Sequence, residues 1–221
     1  MPNTRQLTRL KMLKIRCSQL KLAMVDAKKA GELSESAKKL IQDEVRAEYF
    51  GVREQISSKY LKKGIECEQQ SIDLLNELEF RLAKPYVKNT ERRANDWITG
   101  ECDIYDPEAR LVRDIKTSWS MYTFPLFDTE CKDYEWQMRG YMWLWDCDTA
   151  SVDYCLVDTP EHLIGYEQRD IHIVSNLNLP VDKRVKSFVF ERDLEKEECI
   201  KIRVEQLNEY YIKLRQNLVC I

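Results

Sequence analysis

The densest chemistry in this chain runs from Gly100 to Lys116 and reads GECDIYDPEARLVRDIK. Asp103 falls in one predicted strand. Asp114 and Lys116 fall in the next, with one residue between them. A strand alternates its side chains, so positions 114 and 116 point to the same face. Two carboxylates and an ammonium on one patch suit a hard divalent cation and a water to be activated.

These side chains need elements to hold them. Trp97 to Tyr105 reads as one strand and Leu111 to Thr117 as the next, with Asp106-Pro107-Glu108 supplying the turn. Thr99, Glu101, Asp103 and Tyr105 share a face of the first strand. Val112, Asp114 and Lys116 share a face of the second. An antiparallel hairpin centred near residue 108 brings Asp103 across to the region of Asp114. The pattern predicts proximity, not register.

Upstream, residues 53–80 read as one long helical stretch with an apolar stripe of Leu61, Ile65, Ile72 and Leu75. Glu68 belongs to that stripe by spacing, whereas Glu66 falls with Lys59, Lys62, Gln69 and Asp73 on the polar side. An acid on an apolar face is costly unless it is paired or binds a metal. A glutamate at the stripe's edge, reaching solvent, is the plainer alternative.

Residues 5–30 have helical periodicity through Leu10, Leu13, Cys17, Leu20 and Met24, and Gly31 can end that helix. Ser34 can cap a second helix over 35–50, stopped by Gly51. The first of these is basic: Arg5, Arg9, Lys11, Lys14, Arg16, Lys21, Lys28 and Lys29 stand against Asp26 alone. Such a run is a solvated face or an arm that touches nucleic acid or a partner.

Residues 118–130 form an aromatic crossing loop, either packed core or a lip touching substrate. A helix over 132–146 places Gln137 and Tyr141 on one face. A strand at Val152–Asp158, a short helix near 161–168, a strand at Val185–Glu191 and a helix over 194–217 complete the chain. The last helix is expected to bury Ile200, Val204, Leu207 and Leu214. His162 and His172 read as ordinary surface or turn histidines.

The 221 residues carry a net charge of −3, which fits poorly with a module that only binds DNA. No apolar run approaches membrane-spanning length, so no membrane partner is expected. The eight cysteines contain no Cys-x-x-Cys pair, which argues against zinc and iron–sulfur sites. They read as reduced thiols of an intracellular protein.

The order of pieces is a glutamate helix, an aspartate strand, an Asp-x-Lys strand, then a Gln-x-x-x-Tyr helix. It resembles the PD-(D/E)xK nuclease superfamily, and more narrowly the lambda exonuclease or YqaJ-like group within the RecB-like branch. The matching residues are Gly64-Ile65-Glu66-Cys67-Glu68, Gly100-Glu101-Cys102-Asp103, Asp114-Ile115-Lys116, and Gln137 through Tyr141. The family's glutamate lies four residues after its glycine, which selects Glu68, as the stripe does. Cys102 stands where the superfamily's proline would be.

The resemblance implies an α/β (α+β) fold: a restriction-endonuclease-like central mixed sheet flanked by helices, with an added N-terminal helical segment. One nuclease domain over 1–221 is expected, with a helical extension over 1–60, a catalytic core over about 60–160 and a C-terminal strand and helix over 161–221. It further implies metal-dependent phosphodiester hydrolysis. Glu68, Asp103, Asp114 and the Ile115 carbonyl would be the ligands, and all-oxygen ligation favours Mg²⁺, with Mn²⁺ able to substitute, over zinc. Lys116 would orient the attacking water or neutralise charge on the phosphorus centre. Gln137 and Tyr141 would hold the site in shape or contact DNA. The same likeness implies a 5′-to-3′ exonuclease acting on double-stranded DNA ends for phage-type recombination, a homotrimeric ring and a single-strand annealing protein as partner. Arg46, Arg53, Lys62 and Lys63 are candidates for a 5′-phosphate pocket, or are solvated charges. An endonuclease of the same fold, for restriction or repair, and a non-catalytic DNA-binding module are the alternatives.

Overall fold

The computed structural model describes residues 12–29, 31–127 and 131–219. The expected positions Arg5, Arg9, Leu10 and Lys11 lie outside the described residues. In chain order the elements are β1 (Ile15–Arg16), α1 (Leu20–Ala23), α2 (Glu35–Phe50), α3 (Lys59–Glu66) and α4 (Glu68–Leu78), then β2 (Arg93–Ala94), β3 (Ile98–Gly100), β4 (Ile104–Asp106) and β5 (Leu111–Thr117). After these come α5 (Glu135–Trp145), β6 (Thr149–Cys155), α6 (Glu161–Ile164), β7 (Val185–Glu191) and α7 (Leu194–Val219).

The strands form two mixed sheets. In the larger the order is β4-β5-β6-β7, with β5 and β6 parallel and both outer pairs antiparallel. In the smaller, β3 lies between β1, which is parallel to it, and β2, which is antiparallel. Helices cover both faces of the larger sheet. Val112, Ala150 and Val152 pack on one face against Met138, Tyr141 and Met142 of α5, and beyond them against Leu20, Ile41, Ile200 and Leu207. Ile115, Cys155 and Val185 pack on the other face against Ile72, Leu74 and Leu75 of α4. The alternation along β5 therefore sends residues 112, 114 and 116 toward α5, and 113 and 115 toward α4.

Several expectations hold with their bounds. The Ser34 hydroxyl accepts the Ala37 N–H at 3.2 Å and starts α2. Gly51, at φ +66°, ends it in the left-handed region. β5 and β7 span the residues expected of them.

Other expectations are corrected. Residues 12–29 are not one helix: Ile15–Arg16 is a strand paired with Ile98–Thr99, followed by a short helical segment that buries Cys17, Leu20 and Ala23. The helix over 53–80 is two helices, with a break at Cys67 (φ −104°, ψ 7°). The expected stripe does not run through that break, because Ile72 and Leu75 are buried while Leu61 and Ile65 are exposed. The strand over 97–105 is also two pieces in different sheets. Between them the chain leaves the ladder, and Asn89 replaces the missing strand partner. Its side-chain amide donates to the Cys102 carbonyl at 2.9 Å, and its N–H donates to the Asp103 carbonyl at 2.7 Å. β6 begins at Thr149 and ends at Cys155, α6 stops at Ile164, and α7 runs on to Val219.

Candidate active site

The β4–β5 hairpin sets the site. Ile104 pairs with Arg113, so the next position outward sets Asp103 against Asp114. The Asp103 N–H donates to the Arg113 carbonyl at 3.0 Å. Its carboxylate Oδ2 accepts the Ile115 N–H at 2.6 Å. The turn is closed by Asp106, whose Oδ1 accepts the N–H groups of Glu108 and Ala109, each at 3.1 Å.

Asp114 and Lys116 lie together on the α5 face of β5, and the ammonium pairs with Asp114 Oδ2. Asp114 is 3% exposed. Its other oxygen, Oδ1, accepts Gln137 Nε2 at 2.8 Å, and the same amide donates to the Tyr141 hydroxyl at 3.1 Å. Helical spacing of four residues puts these two side chains on the inner face of α5. The Tyr141 ring is fixed by close packing: a Cβ at Gly100 would meet Tyr141 Cε1 at 2.8 Å and Cys17 Sγ at 2.7 Å. Gly100 is therefore needed for space, while Gly64, in α3, has open surroundings.

Glu68 is the first residue of α4, where the helix dipole favours a carboxylate. It joins the hairpin through Lys88. Lys88 Nζ donates to Glu68 Oε1 at 2.7 Å and to Asp103 Oδ1 at 2.6 Å. On the opposite side, Lys116 Nζ lies 4.7 Å from the centroid of the Tyr134 ring.

The charges follow from this geometry. Burial pushes the Asp114 carboxyl up to about 6; Lys116 holds it back, and the charge of Asp103 adds to the rise. Burial works against the Lys116 ammonium, but the charge and hydrogen bond of Asp114, with Tyr134 and Asp103 adding to them, together hold Lys116 above the ordinary lysine range. Burial likewise opposes the charge on Lys88, and Asp103 and Glu68 more than restore it. Burial pushes the Tyr141 phenol far above its usual range, so its hydroxyl stays protonated.

Glu68, Asp103, Asp114, Ile115, Lys116, Gln137 and Tyr141 thus form one connected constellation, with Ile115 entering through its N–H. Its donor set is carboxylate oxygen, which suits a hard cation. Glu68 and Asp103 already grip one cationic group, the Lys88 ammonium. Asp114 Oδ2 is buried with the Lys116 ammonium against it. Among the described residues, no three carboxylate, imidazole or thiolate groups are gathered closely enough to hold a metal ion as they stand. The donor types fit the ion, and the Lys88 ammonium stands between two of them.

Of the four basic residues preceding the glutamate helix, Lys63, Arg53 and Arg46 are engaged by other groups of the protein. Lys63 is buried and donates to the carbonyls of Ser118, Trp119 and Val157 at 2.6, 3.2 and 2.9 Å. It anchors the chain just beyond Lys116 rather than meeting a phosphate. Arg53 pairs with Glu44 and Arg46 with Asp43, while Lys62 is exposed. His172 is not at the surface: it is fully buried, its Nδ1 3.1 Å from the Trp119 carbonyl and its ring edge-on to the Trp119 ring. His162 is exposed and lies against Glu66. In the aromatic loop Trp119 and Phe124 are packed core, while Tyr122, Leu126 and Phe127 are exposed.

Sequence reasoning missed Lys88 and Tyr134. Lys88 sits outside every motif, and no spacing rule points to it. Tyr134 carried a weak signal, one turn ahead of Gln137.

A carboxylate-lined sheet edge, an Asp-x-Lys strand and a Gln-x-x-x-Tyr helix define a PD-(D/E)xK-type nuclease fold. No family model matches the chain, and no curated protein matches it. Among solved structures, the chain is similar to a phage related exonuclease from Haemophilus somnus 129PT. The two are 36% identical with a TM-score of 0.85, over 94% of this chain and 97% of that one. An alkaline exonuclease, LHK-Exo, from Laribacter hongkongensis shares the fold at 15% identity and a TM-score of 0.59, over 95% of each chain. The chain belongs to the phage-type exonuclease family, the lambda exonuclease or YqaJ-like group of the PD-(D/E)xK superfamily.

Proposed function

We propose that this protein is a Mg²⁺-dependent exodeoxyribonuclease that degrades one strand of double-stranded DNA from its 5′ end. The observation that carries the reading is the convergence of Asp103, Asp114 and Lys116 across one hairpin, with Glu68 joined to them through Lys88. The relative from Haemophilus somnus, a phage related exonuclease, supports action at DNA ends.

Glu68, Asp103, Asp114 and the Ile115 carbonyl are the residues that would hold Mg²⁺, which supplies Lewis-acid polarisation of the phosphoryl oxygen and acidifies a water. The protein's own groups do the rest. Asp103 is fixed by the Ile115 N–H, so its carboxylate is pre-aimed. Gln137 and Tyr141 hold Asp114 in one orientation. Lys116 places a positive charge on the same face, where it steadies the attacking water and the charge growing on the phosphoryl oxygens. Removing one such stabiliser typically slows an enzyme about 10²–10³-fold.

We read the assembly as a homo-oligomer, a trimeric ring by family likeness, working in the cytoplasm with a single-strand annealing protein. The test digests linear duplexes, labelled at the 5′ or 3′ end, beside a closed plasmid, with Mg²⁺ or a chelator. Mg²⁺-dependent release of 5′ label with the circle intact supports the reading. Nicking or cutting of the circle overturns it in favour of an endonuclease, and binding without turnover in favour of a DNA-binding module.

A further inference from the structure

We infer that Lys88 is a positioning residue for the candidate metal ligands: an internal counter-ion that holds Glu68 and Asp103 together and yields its place to a divalent cation. The inference rests on the reading of those two carboxylates as ligands.

Lys88 Nζ touches Glu68 Oε1 at 2.7 Å and Asp103 Oδ1 at 2.6 Å, so one ammonium bridges carboxylates from α4 and from the hairpin. Two carboxylates so close repel each other unless a cation lies between them. The backbone at this point is tied down, because the N–H of the next residue, Asn89, donates to the Asp103 carbonyl at 2.7 Å. The side chain is not trapped. It is 29% exposed, and its four-carbon stem can swing outward while its backbone stays in place.

An ammonium and a divalent cation cannot both sit between the same two carboxylates. The two must therefore compete, and by linkage each weakens the other's hold. Lys88 keeps the pair preassembled and charge-balanced before the metal arrives. The cost is a lower metal affinity.

The test is a calorimetric Mn²⁺ titration of the DNA-free protein. Lys88→Met should bind Mn²⁺ more tightly, on the order of tenfold, and Lys88→Arg should return toward the wild-type value. With a chelator present, Lys88→Met should also melt lower than wild type, and Mn²⁺ should raise its melting temperature by more. A purely structural lysine would lower melting equally with and without metal and leave the affinity alone. Equal or weaker Mn²⁺ binding by Lys88→Met overturns the inference. Asp103→Asn separates the two readings. If wild type binds Mn²⁺ and Asp103→Asn does not, the ligand assignment stands and only the counter-ion role is at stake. If Asp103→Asn binds as wild type does, the ligand assignment itself fails.

Discussion

The carboxylate of Asp103 accepts the main-chain N–H of Ile115 at 2.6 Å, which ties the entry of one strand to the middle of its neighbour. This contact aims Asp103 and leaves its other oxygen for Lys88. Asp103→Asn can keep the acceptor while removing the charge. We expect a fall in cleavage of about 10²–10³-fold with little change in melting temperature. Asp103→Ala should lose activity and also about 1–3 kcal/mol of stability, because it strands the Ile115 N–H. Steady-state rates and thermal melts of the two variants check this.

Gln137 donates to Asp114 and to Tyr141, so its amide orients a carboxylate it does not replace. Gln137→Leu should lower kcat by one to two orders of magnitude, roughly the usual cost of losing an orienting partner. DNA affinity in Ca²⁺ should be unchanged. An equal loss of binding and turnover would mean that Gln137 touches DNA instead.

The two motif glycines should part company. Gly100→Ala drives a methyl into Tyr141 and Cys17. It should cost about 1–3 kcal/mol of stability and reduce cleavage through displaced Gln137. Gly64 lies inside α3 with nothing near its Cβ position. Gly64→Ala should stabilise by about 0.5–1 kcal/mol and leave cleavage intact. Melting curves and rates of both variants decide.

Burial pushes the Lys63 ammonium down to about 8 from an ordinary 10.5. The folded protein therefore binds fewer protons than the unfolded chain between those two values. Stability contributed through this group must rise as pH climbs through that window, by up to about 3 kcal/mol. Below it the burial cost is constant. Chemical denaturation of wild type and Lys63→Met at pH 7.5 and pH 10 isolates the effect: the wild type should gain stability relative to the variant as pH rises.

Much of this architecture is legible in local pattern. Ser34 and Gly51 bracket α2, and alternation from Leu111 to Thr117 puts Asp114 and Lys116 on one face. Turn chemistry at Asp106 is enough to bring Asp103 opposite Asp114. What escapes is decided at long range. Ile15 becomes strand because Ile98 is there to pair with it, and no local period encodes that. The stripe through Leu61 and Ile65 points to Glu68 for a faulty reason, since the helix breaks at Cys67 and those two residues face solvent. Glu68 is placed instead by the N-terminus of a new helix. Lys63 and His172 look like surface residues by type, yet both are buried against the carbonyls beyond Lys116. Lys88 belongs to no element, and only the fold brings it to two carboxylates.

The most direct test of the central claim compares Asp114→Ala and Lys116→Ala with wild type on end-labelled linear duplex in Mg²⁺, after DNA binding has been matched in Ca²⁺. Both variants should bind DNA nearly as wild type does and degrade it at least about 10²-fold more slowly. Cleavage by either variant at the wild-type rate would contradict that claim.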